Sequence, residues 1–466
     1  MIEAFELFLS FATEDSMKSP KFTSTPLFPR QALVALLLPL IAEQALSVTI
    51  GLADTLMVSS VGEAAVSGVS LVDSFNTLMI QIMSALATGG AVVTSQLLGA
   101  RQTEKARKSA GQLVTLAASM GLVMMALCLI FARGLLRLFF GSIDQAVMDA
   151  GLIYLRITAL SFPFIALYNA GAAIFRSVGN SRVSMQVSLL MNAINVAGNA
   201  LCIFVLKMGV AGVAVPTLVS RAVAAVLILA LASRKDQALC LKRAALYPID
   251  HKMMGKILSI GIPSACENSF FQFGRLLVVS MIALFGTTQT SANAVANTLD
   301  SMGIVVGQAM GLAVVTVIGQ SVGAGDKEQA TYYLKKLMLW SWALLFVSNG
   351  LILTFLNPLI GMYRSLTPET VALTRTLVRI HAGSAIVLWA ISFVLPNALR
   401  AANDVQFTMW VGIGSMVGFR IVGSWILCVQ LGWGAVGVWI AMVLDWVCRV
   451  SFFLSRTLSG KWLRKV

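Results

Sequence analysis

Two short stretches place an acid inside an otherwise oily run. In "PLIAEQAL", residues 39–46, Glu43 follows Pro39 by four positions; in "PSACENSF", residues 263–270, Glu267 follows Pro263 by the same interval. A proline removes one helix hydrogen bond and bends the helix, so a glutamate one turn later faces the disturbed region. An ionised group at the middle of a bilayer costs about 3 kcal/mol on insertion scales unless it faces water or a partner. A carboxyl kept in such a place suits exchange of a proton or a bound cation as access alternates. Asp54 in "GLADTLM" and Asp300 in "NTLDSM" are further candidates for ion or proton coupling.

Other polar groups sit in apolar surroundings and are candidate cavity or substrate contacts. Asp73 and Asn76 are three apart and share a helix face. Their counterparts are Asn297 and Asp300, with acid and amide exchanged, and Asn293 lies one turn earlier. Gln44 adjoins Glu43; Asn268 and Gln272 follow Glu267; Asn192, Asn195 and Asn199 recur along one further segment. Arg275 reads as a counter-ion for one of the acids, although eight residues put it about 12 Å along the helix from Glu267. The bland alternatives are a hydrogen-bonded carboxyl that ties helices together for the glutamates and an interfacial cap for Asp54. For the asparagines the alternative is interhelical glue. Asp445 and Arg449 are four apart and favour an intrahelical ion pair. Arg176 and Arg400 read as cytoplasmic anchors or gate elements.

The elements that must position these groups follow from composition. Of 466 residues, 58% are hydrophobic and 12% charged, against about a quarter charged in soluble domains. Apolar runs long enough to cross a bilayer predict twelve helices, near 32–53, 66–97, 109–132, 150–175, 183–207, 210–232, 255–285, 291–321, 333–356, 371–399, 406–430 and 434–457. Backbone groups in lipid must be satisfied within a segment, which demands helices. The chain is therefore expected to be an all-α polytopic membrane protein. The expected organisation is an N-terminal segment 1–30, a first lobe 31–232, a linker 233–252, a second lobe 253–458 and a tail 459–466. Both Met1 and Met17 are candidate starts.

The net charge of +14 is topological. Lys and Arg concentrate in the second-to-third, fourth-to-fifth and eighth-to-ninth connections, the linker "SRKDQALCLKRAALYPIDHK" and the C-terminus. The positive-inside rule places both termini and the linker in the cytoplasm. That distribution argues against a nucleic-acid partner. Six scattered cysteines and two histidines form no metal-ligand or disulfide pattern. No cofactor is expected, and Na⁺ at the coupling acids is the one metal in prospect.

The halves overlay at a shift of 224. "VTSQLLGARQTEKA" (93–106) lies on "VIGQSVGAGDKEQA" (317–330) with six identities in fourteen positions. Gly62 falls on Gly286, Arg176 on Arg400, Pro39 on Pro263 and Glu43 on Glu267. Six spans separate equivalent points, so the two six-helix bundles share one orientation, as parallel repeats do.

Together these stretches resemble the multidrug and toxic compound extrusion (MATE) family, bacterial branch, over residues 30 to 457. "GLADTLMVSSVGEAAVSGVSLVD", "GGAVVTSQLLGA", "FRSVGNSR" and "GIPSACENSFFQFGRLL" carry the likeness. The resemblance implies two six-helix lobes around a cavity. It also implies export of cationic, amphiphilic drugs in exchange for H⁺ or Na⁺ across the bacterial inner membrane. Asp54 matches the first-helix aspartate that the family uses for coupling. The seventh-helix glutamate of one branch, eight residues after the proline, is Phe271 here, and the fifth helix offers only asparagines. A monomer is expected.

Two rivals remain. A flippase of lipid-linked saccharide precursors on a related fold needs a cationic cavity, whereas the charges inside these spans read as mainly acidic with Arg275 the chief exception. A membrane-embedded enzyme needs a nucleophile–base or metal cluster, and no such motif occurs.

Overall fold

The computed structural model describes residues 26–59, 61–141, 144–235, 237–241, 249–363 and 366–463, excluding the side chains of 50, 52–56, 59, 63, 64 and 140. Every regular element among the described residues is helical, with no strand. In the first half, α1 is Arg30–Ser59, α2 Glu63–Gly99, α3 Thr103–Phe140, α4 Gln145–Ala159, α5 Phe162–Ser177, α6 Ser181–Ala200 and α7 Ala211–Ala232. The second half contains α8 His251–Ala283, α9 Thr287–Gly323, α10 Lys327–Thr354, the short α11 Leu356–Gly361 and α12 Pro368–Trp389. It ends with α13 Leu395–Ala401, α14 Val405–Ser415 and α15 Gly434–Leu458.

Ten helices among the described residues are long and apolar enough to cross a bilayer, and α4 with α5, bent by 46°, make an eleventh. The bend falls where Pro163 opens α5, because its ring cannot continue the preceding turn. The remaining expected span is α8. Its 33 residues reach about 50 Å, and Glu267, Asn268, Gln272 and Arg275 lower its hydropathy. The chain thus has the twelve-helix, twice-repeated architecture.

The repeat is visible in the backbone as well as in residue types. Gly62 (φ 132°) caps α2 and Gly286 (φ 91°) caps α9; both angles are open to glycine and strained for other residues. A π-helical stretch Leu201–Val205 follows α6, and another, Trp425–Gln430, begins 224 residues later. Two more, Ala390–Val394 and Met416–Val422, lie only in the second half. Such wide turns rotate the following side chains and occur often at functional sites.

Backbone contacts group Val34–Ala265 into one unit, and Cys266–Val466 with the described residues up to Leu33 into the other. The division falls inside α8, two residues after Pro263. The first half of α8 packs closely on α2: a Cβ at Gly89 would lie 2.7 Å from the Ile257 carbonyl oxygen. Just before α8, Asp250 Oδ2 lies 2.8 Å from Lys108 Nζ, and the Asp250 amide donates to Gln112 Oε1 at 3.1 Å. A matching strap holds the chain ahead of α1 in the second unit. There the Leu27 amide donates to Gln329 Oε1 (2.9 Å), and the Phe28 amide donates to Tyr333 Oη (2.9 Å). Tyr333 donates back to the Phe28 carbonyl at 3.1 Å, and the two rings meet edge to face.

Candidate functional site

In the first unit α1, α5 and α6 converge on Glu43, which is 6% exposed. Tyr168 Oη donates to its Oε1 at 3.3 Å, and Ser184 Oγ donates to Oε2 at 3.1 Å. Arg176 Nη1, on the last turn of α5, lies 3.8 Å from Oε1. Pro39 has no amide hydrogen to give the Ala35 carbonyl, and one residue further on Ser181 Oγ on α6 donates to the Leu36 carbonyl.

The second unit repeats the arrangement with stronger charges. Glu267 is also 6% exposed. Arg400 Nη2 lies 2.6 Å from its Oε2, and Arg449 Nη1 lies 3.9 Å from its Oε1. Gly412 makes room for it: a Cβ there would lie 2.6 Å from Oε1. Arg449 also pairs with Asp445 at 3.0 Å, the intrahelical pair that the spacing predicted. Arg420 Nη1 reaches Asp445 Oδ2 at 3.9 Å. Phe271 stands under two guanidiniums, 5.9 Å from Arg420 and 5.7 Å from Arg449. Two neighbouring spans thus present cations to the position where the resemblance leads one to look for an acid.

Arg275, expected as a counter-ion, is exposed and pairs with no acid among the described residues. Its eight-residue offset carries it too far along α8 to meet Glu267. The counter-ions are Arg176, Arg400 and Arg449, the first two of which had read as anchors or gate elements. Charges inside the spans are also not mainly acidic, since Arg221, Arg420 and Arg449 share the interior of the bundles. Both arginines at the repeat-matched site could have been found, because they recur at the same shift of 224 as the glutamates.

The amide and acid exchange on α2 and α9 gives each unit one further acid. In the first unit Tyr154 Oη donates to Asp73 Oδ1 at 2.9 Å, and Asn76 donates to Thr158 at 3.2 Å. Asp73 is exposed to a cavity of about 260 Å³ that Asn192, Asn195, Thr217 and Arg221 also line. Asn195 donates to Thr217 Oγ1 (3.0 Å), Asn199 donates to Asn195 (3.3 Å), and Arg221 donates to Ser161 Oγ (2.8 Å). Three of the residues expected at a cavity therefore line one. Asn76 is buried instead. Gln44, Asn268 and Gln272 are partly buried and line neither this cavity nor the cleft described next.

In the second unit Asp300 Oδ1 lies 2.6 Å from His381 Nε2, with the imidazole side chain 2% exposed and the carboxylate 17%. His381 stands edge-on to Trp439 and Trp446, ring centres 5.7 and 5.0 Å away. Trp439 donates to Asn293 Oδ1 at 2.9 Å, while the Asn297 amide turns back to its own helix. Asp300, Asn349, His381 and apolar side chains line a small cleft. The Asp54 backbone is helical, but its side chain lies outside the described residues.

A twice-repeated bundle of membrane-spanning helices, with a polar cavity and buried charges inside, defines a membrane transporter. The MatE family model matches residues 39–201 and 263–426, two blocks whose starts, Pro39 and Pro263, differ by 224. The chain belongs to the MatE family of multidrug efflux transporters. It is 28% identical over 460 residues to the uncharacterized transporter YisQ of Bacillus subtilis (strain 168), covering 96% of this chain and 99% of that one. It is 27% identical over 446 residues to the probable multidrug resistance protein NorM of Thermotoga maritima, covering 94% of each. The fold matches a crystal structure of MATE in the bent conformation, with a TM-score of 0.84, 22% identity and coverage of 94% and 96%. It also matches a MOP superfamily transporter from Pyrococcus furiosus, with a TM-score of 0.86, 20% identity and coverage of 94% and 97%.

Proposed function

We propose that this protein is a monomeric secondary antiporter. In this reading it exports amphiphilic organic cations in exchange for H⁺ or Na⁺ across a bacterial inner membrane, with both termini in the cytoplasm. The lobes would be 31–232 and 253–458, joined by the linker 233–252. The observation that carries the reading is the pair of buried carboxyls, Glu43 and Glu267, at repeat-matched points of two membrane-spanning helices. Intramembrane acids mark ion pathways by default.

Each carboxylate bridges its own span to an arginine at the end of another. Neutralising the acid weakens that bridge and frees the helices to rearrange. Asp54 and Asp300 complete the coupling set, and Asp73 offers a cationic substrate an anionic contact in the cavity of the first unit. The flippase alternative gains Arg221 and Arg420 as cations. Arg221 donates to Ser161, however, and Arg420 pairs with Asp445, so neither is reserved for a pyrophosphate.

Uptake of a fluorescent organic cation into inverted vesicles, under an imposed proton or sodium gradient, tests the reading. Transport driven by one gradient and lost in Glu43→Gln and Glu267→Gln supports it. Full gradient-driven export by both variants at normal expression sinks the coupling role of the glutamates.

A further inference from the structure

Glu267 is a poor place to add a proton in the state described. Arg400 holds it at 2.6 Å and Arg449 stands at 3.9 Å, and protonation would take the one carboxylate from the partly buried Arg400 guanidinium, a costly loss inside a bundle. Asp300 is different. Its partner is an imidazole, the side chain whose ordinary charge change falls near neutral pH. We infer that Asp300 and His381 form the proton-exchange site of this transporter and make its coupling ion H⁺. The inference rests on the ion-coupled exporter reading and names the ion and the place.

Charge counting supports it. The charged groups around the pair come from every neighbouring element. Arg420 is within electrostatic reach of Asp300. Asp445 and Arg449 project from α15, Glu267 and Arg275 belong to α8, and Arg400 to α13. Arg375 and Arg379 lie on the same helix as His381, and α10 contributes the neutral Asn349. Among the buried members two carboxylates (Glu267, Asp445) meet two guanidiniums (Arg420, Arg449), and the partly buried ones are the carboxylate of Asp300 and the guanidiniums of Arg375 and Arg400. A proton on His381 therefore adds to an interior that already holds at least as many guanidiniums as carboxylates.

The exchange involves one proton and no other bond. Imidazolium beside carboxylate is a neutral pair; loss of the proton leaves neutral imidazole beside an anion. Loss of the proton lowers the local charge by one and favours a cationic substrate, and reprotonation raises it again and disfavours that substrate, which is the sign an H⁺/cation antiporter needs. Sodium prefers oxygen ligands, and an imidazole nitrogen opposite the carboxylate is a poor substitute. In the first unit the shift of 224 puts Asn76, which donates to Thr158, in place of Asp300 and Ile157 in place of His381, so proton exchange at this level is confined to the second unit.

The chain has only two histidines, His251 and His381. In full-length protein labelled with ¹⁵N in the histidine rings, His251→Gln leaves a single pair of ring signals. The expected result is that protonation of this ring and proton-driven transport in vesicles share one midpoint, and that Na⁺ leaves the ring unmoved. Asp300→Asn moves both midpoints together. The wild-type titration stands even if that variant folds poorly. A ring whose protonation does not follow the pH dependence of transport, or transport driven by a sodium gradient alone, overturns the inference while the exporter reading survives. A titrating ring in protein that no gradient drives overturns the exporter reading, and the coupling role with it.

Discussion

Arg400 Nη2 lies 2.6 Å from Glu267 Oε2, and 224 residues earlier in both partners Arg176 Nη1 lies 3.8 Å from Glu43 Oε1. The duplication preserved the ion pair together with the helices that carry it. The two copies differ in support. Glu43 leans on hydroxyl donors, whereas Glu267 depends on two arginines.

Removing one partner of a buried pair leaves the other charge uncompensated, typically at about 3–5 kcal/mol. Arg400→Gln and Glu267→Gln should each lower the unfolding midpoint of purified protein more than Arg176→Gln and Glu43→Gln do. The double variant Arg400→Gln/Glu267→Gln should recover part of the loss. Equal effects in the two halves, or strict additivity in the double variant, would contradict the geometry.

Gly412→Ala places a methyl 2.6 Å from Glu267 Oε1. Overpacking of this kind costs about 1–3 kcal/mol. At Gly414, two residues on, a methyl would meet nothing within 4 Å, so Gly414→Ala is the control. Thermal unfolding in detergent should separate them, with Gly412→Ala alone destabilised.

Asp250 gives a pH prediction outside the spans. The Lys108 ammonium bonded to its carboxylate, aided by the Met253 amide, holds the carboxyl below the usual range. A carboxyl whose folded value is depressed contributes stability above its ordinary value, near 3.9, and loses it as pH falls through the lower folded value. The strap should stay closed at neutral pH and open only in acid below about pH 4. Lys108→Met should move that opening to higher pH. Hydrogen exchange at the Met253 amide follows it directly.

Asp73 and Tyr154 should control substrate affinity through the cavity they share. A hydrogen bond to a charged group contributes about 1.5–3 kcal/mol, roughly 10- to 150-fold in Kd. Asp73→Asn should weaken binding of a fluorescent organic cation by at least the lower figure, and Tyr154→Phe by less. Unchanged binding in Asp73→Asn would remove this cavity from the substrate path.

Much of this was legible in the chain because duplication reports everything twice. Pro39 with Pro263 and Gly62 with Gly286 located matched spans and matched caps, and Glu43 with Glu267 stood out against their apolar surroundings. Arg176 and Arg400 were visible at the same shift. Their role was not, since each closes on its glutamate across 133 residues and only tertiary packing decides that. His381 was passed over because one histidine makes no metal motif. An ionisable ring inside a span was itself the signal. Arg275 misled because helical position, not identity, determines which acid an arginine can reach.

The strap at the start of the chain also constrains biosynthesis. Leu27 and Phe28 dock on Gln329 and Tyr333, 302 and 305 residues downstream. At about 5–20 residues per second, the ribosome needs roughly fifteen seconds to a minute to make that docking site after the strap has emerged. The first helix must therefore wait in the membrane with its leading end unanchored until most of the protein has been inserted. Its docking then marks the arrival of the second half, so a truncated product is left with a loose end that quality-control proteases can grip.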